Sequence, residues 1–378
     1  MITFIVFIIV FSIIILVHEF GHFITAKFFD VRVDEFAIGF PPRIWAKKKK
    51  EITYSINAIP LGGFVRLFGE GGEGEKSKRS LVSKKTWQKT IIFAAGVGMN
   101  FLMAWSILFS FYLVGGQATF PGMWEHSGVV NDQKVYVTYV EKDSPAEKNG
   151  IEAGDVIKKV NGNEVYLDTS VIDEIQKAVA ENKEKPVNVV AKRDEKEFQR
   201  NILTGKAEYE YDGKKVEYQK IGVNLETRGK IKAKWYMAPV AATAETWRLT
   251  KLTMVGIADM FKTLVTRLKI SENVVGPAGI VKLTGVAAGM GFGALLQFVV
   301  ILSISLGVIN IMPIPVLDGG HVLFLAIEKV RGKPVPVGTK NAIQTVGFGL
   351  LLLLVLVITI SDIGRFNIFG FMKGIFGK

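Results

Sequence analysis

The chain has 378 residues, of which 49% are hydrophobic and 22% are charged, and its formal net charge is +12. Its mean hydropathy of +0.30 is too high for an ordinary pair of soluble domains, so apolar and polar residues must be segregated along the chain. Because the sequence contains no cysteine, disulfides, thiolate metal sites and a cysteine nucleophile are excluded.

Four apolar segments predict transmembrane helices, at 2–29, 91–114, 295–312 and 346–360. The second is uncharged and long enough to cross a hydrocarbon core of about 30 Å. The third and fourth are shorter, so a break or re-entry is expected near their ends. The first has the apolar stretch of a signal peptide but lacks a basic start and a cleavage site, so we interpret it as a helix that stays in the membrane.

Lysine and arginine are concentrated at 43–89 and 329–340, beside the predicted spans. The positive-inside rule therefore places these two connections in the cytoplasm, and the N-terminus, the stretch 115–290 and the C-terminus outside. No nucleic-acid recognition motif accompanies the basic charge, so we expect no nucleic-acid partner.

The first predicted span carries His18, Glu19 and His22 close together. Positions i and i+4 share one face of a helix, so both imidazoles can reach one ion, while Glu19 lies beside it without ligating. Ionisable residues inside a span are costly to insert and are functional by default. A polar contact between helices and a proton path are the structural alternatives, but neither requires this spacing.

The polar stretch at 128–228 predicts short strands, at 135–140 and 186–192 among others. Turns are predicted at Asn149–Gly150, Asn161–Gly162 and Asp212–Gly213. The stretch 137–165 resembles a PDZ domain, with Ser144 opening a short helix. Such a domain adds a peptide C-terminus or an extended segment to a strand edge. A small β module that only caps the membrane part is the alternative.

Aromatic and basic residues alternate at helical spacing over 235–268. This pattern predicts one or two amphipathic helices at the membrane interface. A linker helix packed on the neighbouring domain explains the pattern nearly as well.

A third metal ligand must come from another part of the chain, because a catalytic zinc site usually takes three protein ligands. His126 and His321 are possible, but Asp318 is the better candidate. Pro313 and Pro315 must break the third span just before it, and glycines at 319 and 320 allow tight turns. Broken backbone at membrane depth is tolerated where it is buried or lines a wet cavity. The alternative is that Asp318 caps the helix that follows.

Several motifs together resemble the site-2 protease family, and most closely the bacterial regulator-of-sigma-E protease group. They are HEFGH at 18–22, the PDZ signature, GPAGI at 276–280 and NIMPIPVLDGGH at 310–321. The resemblance implies Zn²⁺ held by His18, His22 and Asp318, with Glu19 as the catalytic base. It also implies a β-structured segment at 51–68 that dips into the membrane.

The same resemblance implies cleavage of single-pass membrane proteins, such as anti-sigma factors or remnant signal peptides, in a bacterial cytoplasmic membrane with the PDZ domain outside. Asn310, Pro313 and Pro315 are expected to contact the substrate. A strand edge near 52–56 or 64–68 is expected to hold its unwound segment. The sequence departs from the family where Gly98-Met99-Asn100 lacks a proline and where Ser305 replaces an asparagine.

We therefore expect four parts, with the lipid bilayer as a further partner. The ranges 1–114 and 291–378 are membrane parts, 115–230 is the PDZ domain and 231–290 holds interfacial helices. One alternative is a catalytically inactive, membrane-tethered PDZ scaffold, but the metal ligands and the base are all present. The other is a metal transporter, for which polar residues would be expected in several spans rather than at two places.

Overall fold

A computed structural model of the chain describes residues 2–71, 77–118, 130–141, 143–164, 186–193, 196–211, 214–267 and 275–366. It divides into two compact units, one formed by Met1–Leu108 with Ala242–Lys378 and the other by Phe109–Ala241. His126 and the predicted turn at Asp212–Gly213 lie outside the described residues. The four-part division predicted from the sequence stays a prediction.

The helices of the described residues are, in chain order, α1 (Ile2–Phe28), α2 (Thr86–Val114), α3 (Pro145–Lys148), α4 (Ala238–Arg267), α5 (Pro277–Gly289), α6 (Phe292–Ile311), α7 (Asp318–Arg331) and α8 (Val337–Phe366). Helix α4 covers the segment predicted at 235–268. Its single buried carboxylate, Glu245, is paired with Arg248 at 2.6 Å. The interfacial position of this helix stays a prediction.

Four of these helices, α1, α2, α6 and α8, are long and apolar enough to cross a membrane. All four predicted spans therefore occur as helices. Helices α2 and α8 are longer than predicted because they continue into polar flanks, at 86–90 and 337–345, and α6 begins three residues earlier than predicted. Within α8, none of the most apolar stretch is buried against protein. An exposed apolar surface of this size requires a lipid environment. The chain is therefore a membrane protein.

Two long strands, β1 (Val33–Lys49) and β2 (Ile52–Leu67), form a sheet beside α1. The β segment predicted at 51–68 is therefore present, but the sequence analysis did not anticipate β1. Phe36 of β1 lies opposite both Val65 and Tyr54 of β2, so β1 has partners on both sides there. The buried Glu35 on this strand is bonded by Arg43 at 2.6 Å and Ser55 at 2.7 Å.

The pairing of β1 with β2 decides which strand edge is open. Residues 53–56 each pair with one part of β1 on one side and with another part of β1 on the other, and Ile52 pairs with Lys49 beside the turn. The expectation of an exposed edge at 52–56 is therefore wrong. Among the described residues, 63–67 pair with β1 on one side only, so the edge expected near 64–68 is the open one.

The helical structure is interrupted between α6 and α7, as the two prolines require. Helix α6 ends at Ile311, Pro313 and Pro315 follow in a loop, and α7 begins at Asp318. Side chains at 319 and 320 would collide with the carbonyl groups of Ile311 and Ile314. Glycine at these positions therefore lets α7 start directly against the loop that precedes it.

The described residues of the second unit form a main β sheet, a separate hairpin and the short helix α3. The strands are β3 (Gly116–Ala118), β4 (Val130–Val140), β5 (Val156–Val160), β6 (Asn163–Glu164), β7 (Val187–Arg193), β8 (Lys196–Ile202), β9 (Gly205–Tyr211), β10 (Lys214–Lys220) and β11 (Val223–Ile231). The main sheet has the order β3-β11-β4-β5-β7-β8, with β6 paired to β5, while β9 and β10 form a separate hairpin. The predicted strands at 135–140 and 186–192 correspond to β4 and β7.

Local turn and capping signals in this unit act as predicted. Ser144 caps α3, and its hydroxyl accepts a hydrogen bond from the Glu147 amide at 3.2 Å. Asn161 and Gly162 both have positive φ and form the turn between β5 and β6. The core beneath them consists of buried aliphatic side chains from the sheet together with Ala146 of α3.

Candidate metal centre

Three side chains from two distant parts of the chain meet beside α1. His18 and His22 project from the same face of α1, and their Nε2 atoms lie 3.2 Å apart. Asp318, at the first turn of α7, places Oδ2 3.1 Å from His18 Nε2 and 3.4 Å from His22 Nε2. All three side chains are largely buried. They are the one group of described residues suited to hold a metal ion.

The spacing of the three atoms fits a zinc ion. Ligands at about 2.0–2.2 Å from a tetrahedral Zn²⁺ are separated by about 3.3 Å from one another. The observed separations of 3.1, 3.2 and 3.4 Å surround that value. Two imidazole nitrogens and one carboxylate oxygen are also a donor set that zinc accepts.

The hydrogen bonds around His22 and Asp318 leave two of the three converging atoms free for a metal. His22 Nδ1 lies 2.8 Å from the Ile92 carbonyl oxygen, and because only an N–H can bond to a carbonyl, the proton sits on Nδ1. His22 Nε2 therefore carries a lone pair. Asp318 Oδ2 is buried and accepts no hydrogen bond from any described residue, although two ring nitrogens lie close to it. A buried carboxylate oxygen without a hydrogen bond, placed among ring nitrogens, indicates a site for a cation.

Asp318 does not cap α7, which removes the alternative role considered for it. Leu317 occupies the capping position, and no side chain caps this end of the helix among the described residues. The Asp318 carboxylate instead points to the two imidazoles.

Glu19 lies on α1 next to the first ligand and faces the open edge of β2. Its Cγ atom is 3.8 Å from the position that a side chain on Gly63 would take, and its carboxylate lies near the Val65 backbone amide. Glu19 also interacts electrostatically with both histidines and Asp318. A carboxylate at this point is beside the three candidate ligands but is not one of them.

The residues expected to contact a substrate lie at different distances from the three ligands. Asn310 Nδ2 is 3.5 Å from His18 Nε2, so this amide borders the site directly. Pro313 lines a cavity of about 470 Å³ that is also lined by Asp318. Pro315 packs against Gly347 of α8 and lines a different, apolar cavity. The structure therefore brings two of the three beside the candidate ligands.

His321, the other histidine considered as a ligand, is turned away from the three converging atoms. Its ring stacks on Phe93 with the centroids 4.5 Å apart, and its Nε2 lies 3.5 Å from Gln344 Nε2. It is not part of the candidate ligand group among the described residues.

Two features of the site come from α2, in a segment that the sequence placed in a family motif but did not connect with the candidate metal ligands. Gly96 packs directly on both imidazoles, and Asn100 lies with Nδ2 3.2 Å from His18 Nδ1. Gly21 of α1 lies against the Ala95 carbonyl, which lets the two helices cross closely. The spacing from Gly96 to Asn100 is one helical turn, so both can face α1. That signal is available in the sequence, but it does not say which helix is opposite.

Comparisons with known proteins point to a family of zinc metalloproteases. The family model described as peptidase family M50 matches residues 6–354. A protein of Clostridium acetobutylicum, provisionally named a zinc metalloprotease, is 33% identical over 359 residues, which are 94% of this chain and 96% of the relative. A similarly named protein of Clostridium perfringens is 33% identical over 93% of this chain and 96% of its own length. The regulator of sigma-W protease RasP of Bacillus subtilis is 29% identical over 96% of this chain and 98% of its own.

Proposed function

The chain belongs to peptidase family M50 and is a zinc metalloprotease, and on that premise we propose that it cleaves single-pass membrane proteins within or near the bilayer. The proposed ligands are His18, His22 and Asp318, and the proposed base is Glu19. The observation that carries this assignment is the convergence of His18 Nε2, His22 Nε2 and Asp318 Oδ2 within 3.4 Å of one another.

The chain's own residues divide the work of hydrolysis. Bound zinc supplies a Lewis acid for the scissile carbonyl and acidifies water at the site. Glu19, which lies beside the proposed ligands and near the Val65 amide, takes a proton from the attacking water and then delivers it to the leaving amine. The aliphatic residues around α1 limit the access of bulk water, which strengthens the electrostatic interactions within the site.

The substrate must be unwound before its backbone can be attacked, because a helix hides its carbonyl groups in hydrogen bonds. The open edge at 63–67 can pair with such an unwound segment by strand addition. This edge passes Glu19 at Gly63 and Val65, so a paired segment would lie next to the base. Asn310, which borders His18 Nε2, would then bind the substrate backbone, with Pro313 and Pro315 shaping the loop beside it.

We assign the sheet of the second unit to a PDZ domain that binds peptide C-termini or extended segments, or restricts access to the site. Support comes from the Ser144-capped helix, the Asn161–Gly162 hairpin and the antiparallel sheet around them. By the distribution of lysine and arginine, we place this domain on the extracytoplasmic side of a bacterial cytoplasmic membrane. Substrates of the anti-sigma-factor type, or remnant signal peptides, fit a protease of this arrangement.

The experiment compares cells that produce the wild-type chain or Glu19→Gln as their only copy, by quantitative proteomics of the membrane fraction. We expect a set of single-span proteins to accumulate uncut in Glu19→Gln cells, while the purified variant keeps its zinc. Unchanged turnover of all single-span proteins in Glu19→Gln cells would contradict the proposed base. Zinc binding without any cleavage by the wild type would favour the tethered scaffold or a transporter instead.

A further inference from the structure

To bind a metal through Nε2, each of the two candidate histidine ligands must carry its ring proton on Nδ1. An imidazole that binds a metal through Nε2 carries its proton on Nδ1, and a partner that accepts this proton fixes both the tautomer and the ring orientation. His22 has such an acceptor in the Ile92 carbonyl, 2.8 Å from Nδ1. In the described part of the chain, the group beside His18 Nδ1 is the Asn100 side-chain amide, with Nδ2 at 3.2 Å.

Asn100 is held in place but is not fully satisfied. The residue is 0% exposed, and its Oδ1 has no hydrogen-bond partner among the described residues. Its backbone carbonyl accepts a hydrogen bond from the buried Ser303 hydroxyl at 2.9 Å, which ties this turn of α2 to α6. A buried amide oxygen without a donor costs about 1–3 kcal/mol, so this oxygen needs a partner that is close by.

The two orientations of the amide have opposite consequences for His18. With Nδ2 towards the ring, the amide donates to an unprotonated Nδ1, and the ring proton must sit on Nε2, where it blocks the metal. A half-turn of the amide brings Oδ1 to the same place, where it accepts the proton of Nδ1. His18 Nε2 then points a lone pair at the position shared with His22 and Asp318.

We propose that Asn100 is a positioning residue that selects the metal-binding tautomer of His18 by accepting its Nδ1 proton through Oδ1. The proposal rests on the assignment of His18 as a zinc ligand. Asn100 then does for His18 what the Ile92 carbonyl does for His22. The two acceptors lie two turns apart on α2, so one helix orients both rings.

The test is the zinc affinity of the detergent-purified full chain, measured by competition with a chromophoric chelator. Asn100→Leu keeps the side-chain size and removes both hydrogen-bonding atoms. We expect its zinc affinity to fall by about 10–100-fold. Asn100→Asp supplies only acceptor oxygens, and we expect it to bind zinc at least as tightly as the wild type.

The comparison of these variants separates positioning from packing. If Asn100 acted by donating from Nδ2, or only by its shape, Asn100→Asp would bind zinc more weakly or Asn100→Leu would bind it normally. Either result would overturn the proposal, and Asn100→Asp decides it if Asn100→Leu does not fold. Thr284→Val is the control. It removes a buried hydroxyl that donates to a carbonyl of its own helix, and it should leave zinc affinity unchanged.

A His18→Ala variant distinguishes this proposal from the assignment beneath it. Loss of zinc in His18→Ala together with normal binding in Asn100→Leu would overturn the positioning role alone. Normal zinc binding in His18→Ala would instead remove the ligand set on which both proposals depend.

Discussion

Gly96 of α2 lies directly against His22 of α1, so that a methyl group at position 96 would occupy the space of the His22 Nε2 atom. The same methyl group would come within 2.7 Å of His18 Cε1. The absence of a side chain at this one position allows both imidazoles to lie between α1 and α2. The arrangement of the candidate ligands therefore depends on a glycine that forms no hydrogen bond with either ring.

Replacing Gly96 by alanine is expected to lower zinc affinity by about tenfold or more, because both rings must move away from Asp318. Alanine also favours a helix over glycine by about 1 kcal/mol, so helix propensity does not explain a loss. Zinc titration of the purified protein measures the effect. The matched control is Gly98→Ala in the same helix, where an added methyl group meets nothing within 4 Å. Equal zinc affinity in the two variants would contradict the packing described.

The Asp362 carboxylate near the end of α8 anchors the first turn of α5. Its Oδ2 accepts hydrogen bonds from the Gly276 amide at 2.9 Å and the Gly279 amide at 2.8 Å. Asp362→Ala leaves these buried donors without a partner, at about 1–3 kcal/mol each. We expect a clear drop in the thermal midpoint in detergent, with a smaller drop for Asp362→Asn, which keeps one acceptor oxygen. Identical midpoints for Asp362→Ala and the wild type would show that the contact contributes nothing.

In the second unit, Asp155 is buried and its charge is balanced by Arg193. Arg193 Nε and Nη2 donate to the two carboxylate oxygens at 2.6 and 2.8 Å. Arg193→Met leaves the 1% exposed carboxylate without its cation. Because Arg193 itself is partly exposed, we expect the free energy of unfolding to fall by about 3 kcal/mol, the low end for breaking a buried ion pair. Denaturant unfolding measures it. Arg200→Met, which removes a surface arginine from the same sheet, should cost less than about 0.5 kcal/mol.

An exposed ion pair outside the spans gives the protein a defined pH response. Arg79 hydrogen-bonds Glu51 at 2.7 Å and contacts Asp30 at 3.1 Å. The Arg79 hydrogen bond lowers the pKa of Glu51 below its usual value. The ion pair therefore stabilises the fold fully above the unfolded-state pKa of Glu51, about 4.3. This stabilisation is lost as the pH falls through the lower folded-state pKa of Glu51.

The thermal midpoints of the wild type and Arg79→Met should accordingly differ at pH 7 and converge as the pH falls below about 4. High salt should reduce the difference at pH 7, because both groups are partly exposed. A difference that grows on acidification would have the wrong sign for a depressed carboxylate pKa and would contradict the assignment.

The three candidate ligands could be named from the sequence because their signals are local. The i, i+4 spacing puts His18 and His22 on one face of a helix, and the prolines at 313 and 315 force the break that lets Asp318 start a new helix. Gly96 and Asn100 were not predictable as site residues, because their role depends on which helix packs against α1. Glycine and asparagine inside an apolar span look the same wherever that span lies.

Strand β1 was missed for a related reason. Its second half carries two prolines and a run of lysines, which count against a strand when the sequence is taken alone. The strand forms because its residues pair with separate parts of β2, and this pairing also covers 52–56 and leaves 63–67 as the open edge. Such pairing is set by tertiary contacts, which residue propensities do not contain.

In the proposed site, α1 and the start of α7 hold one zinc ion together. The most direct measurement is the anomalous scattering of crystals of the zinc-loaded protein, recorded on both sides of the zinc absorption edge. We predict one peak within about 2.0–2.2 Å of His18 Nε2, His22 Nε2 and an Asp318 carboxylate oxygen. A zinc peak elsewhere, or one at the two histidines with Asp318 turned away from it, would contradict the account.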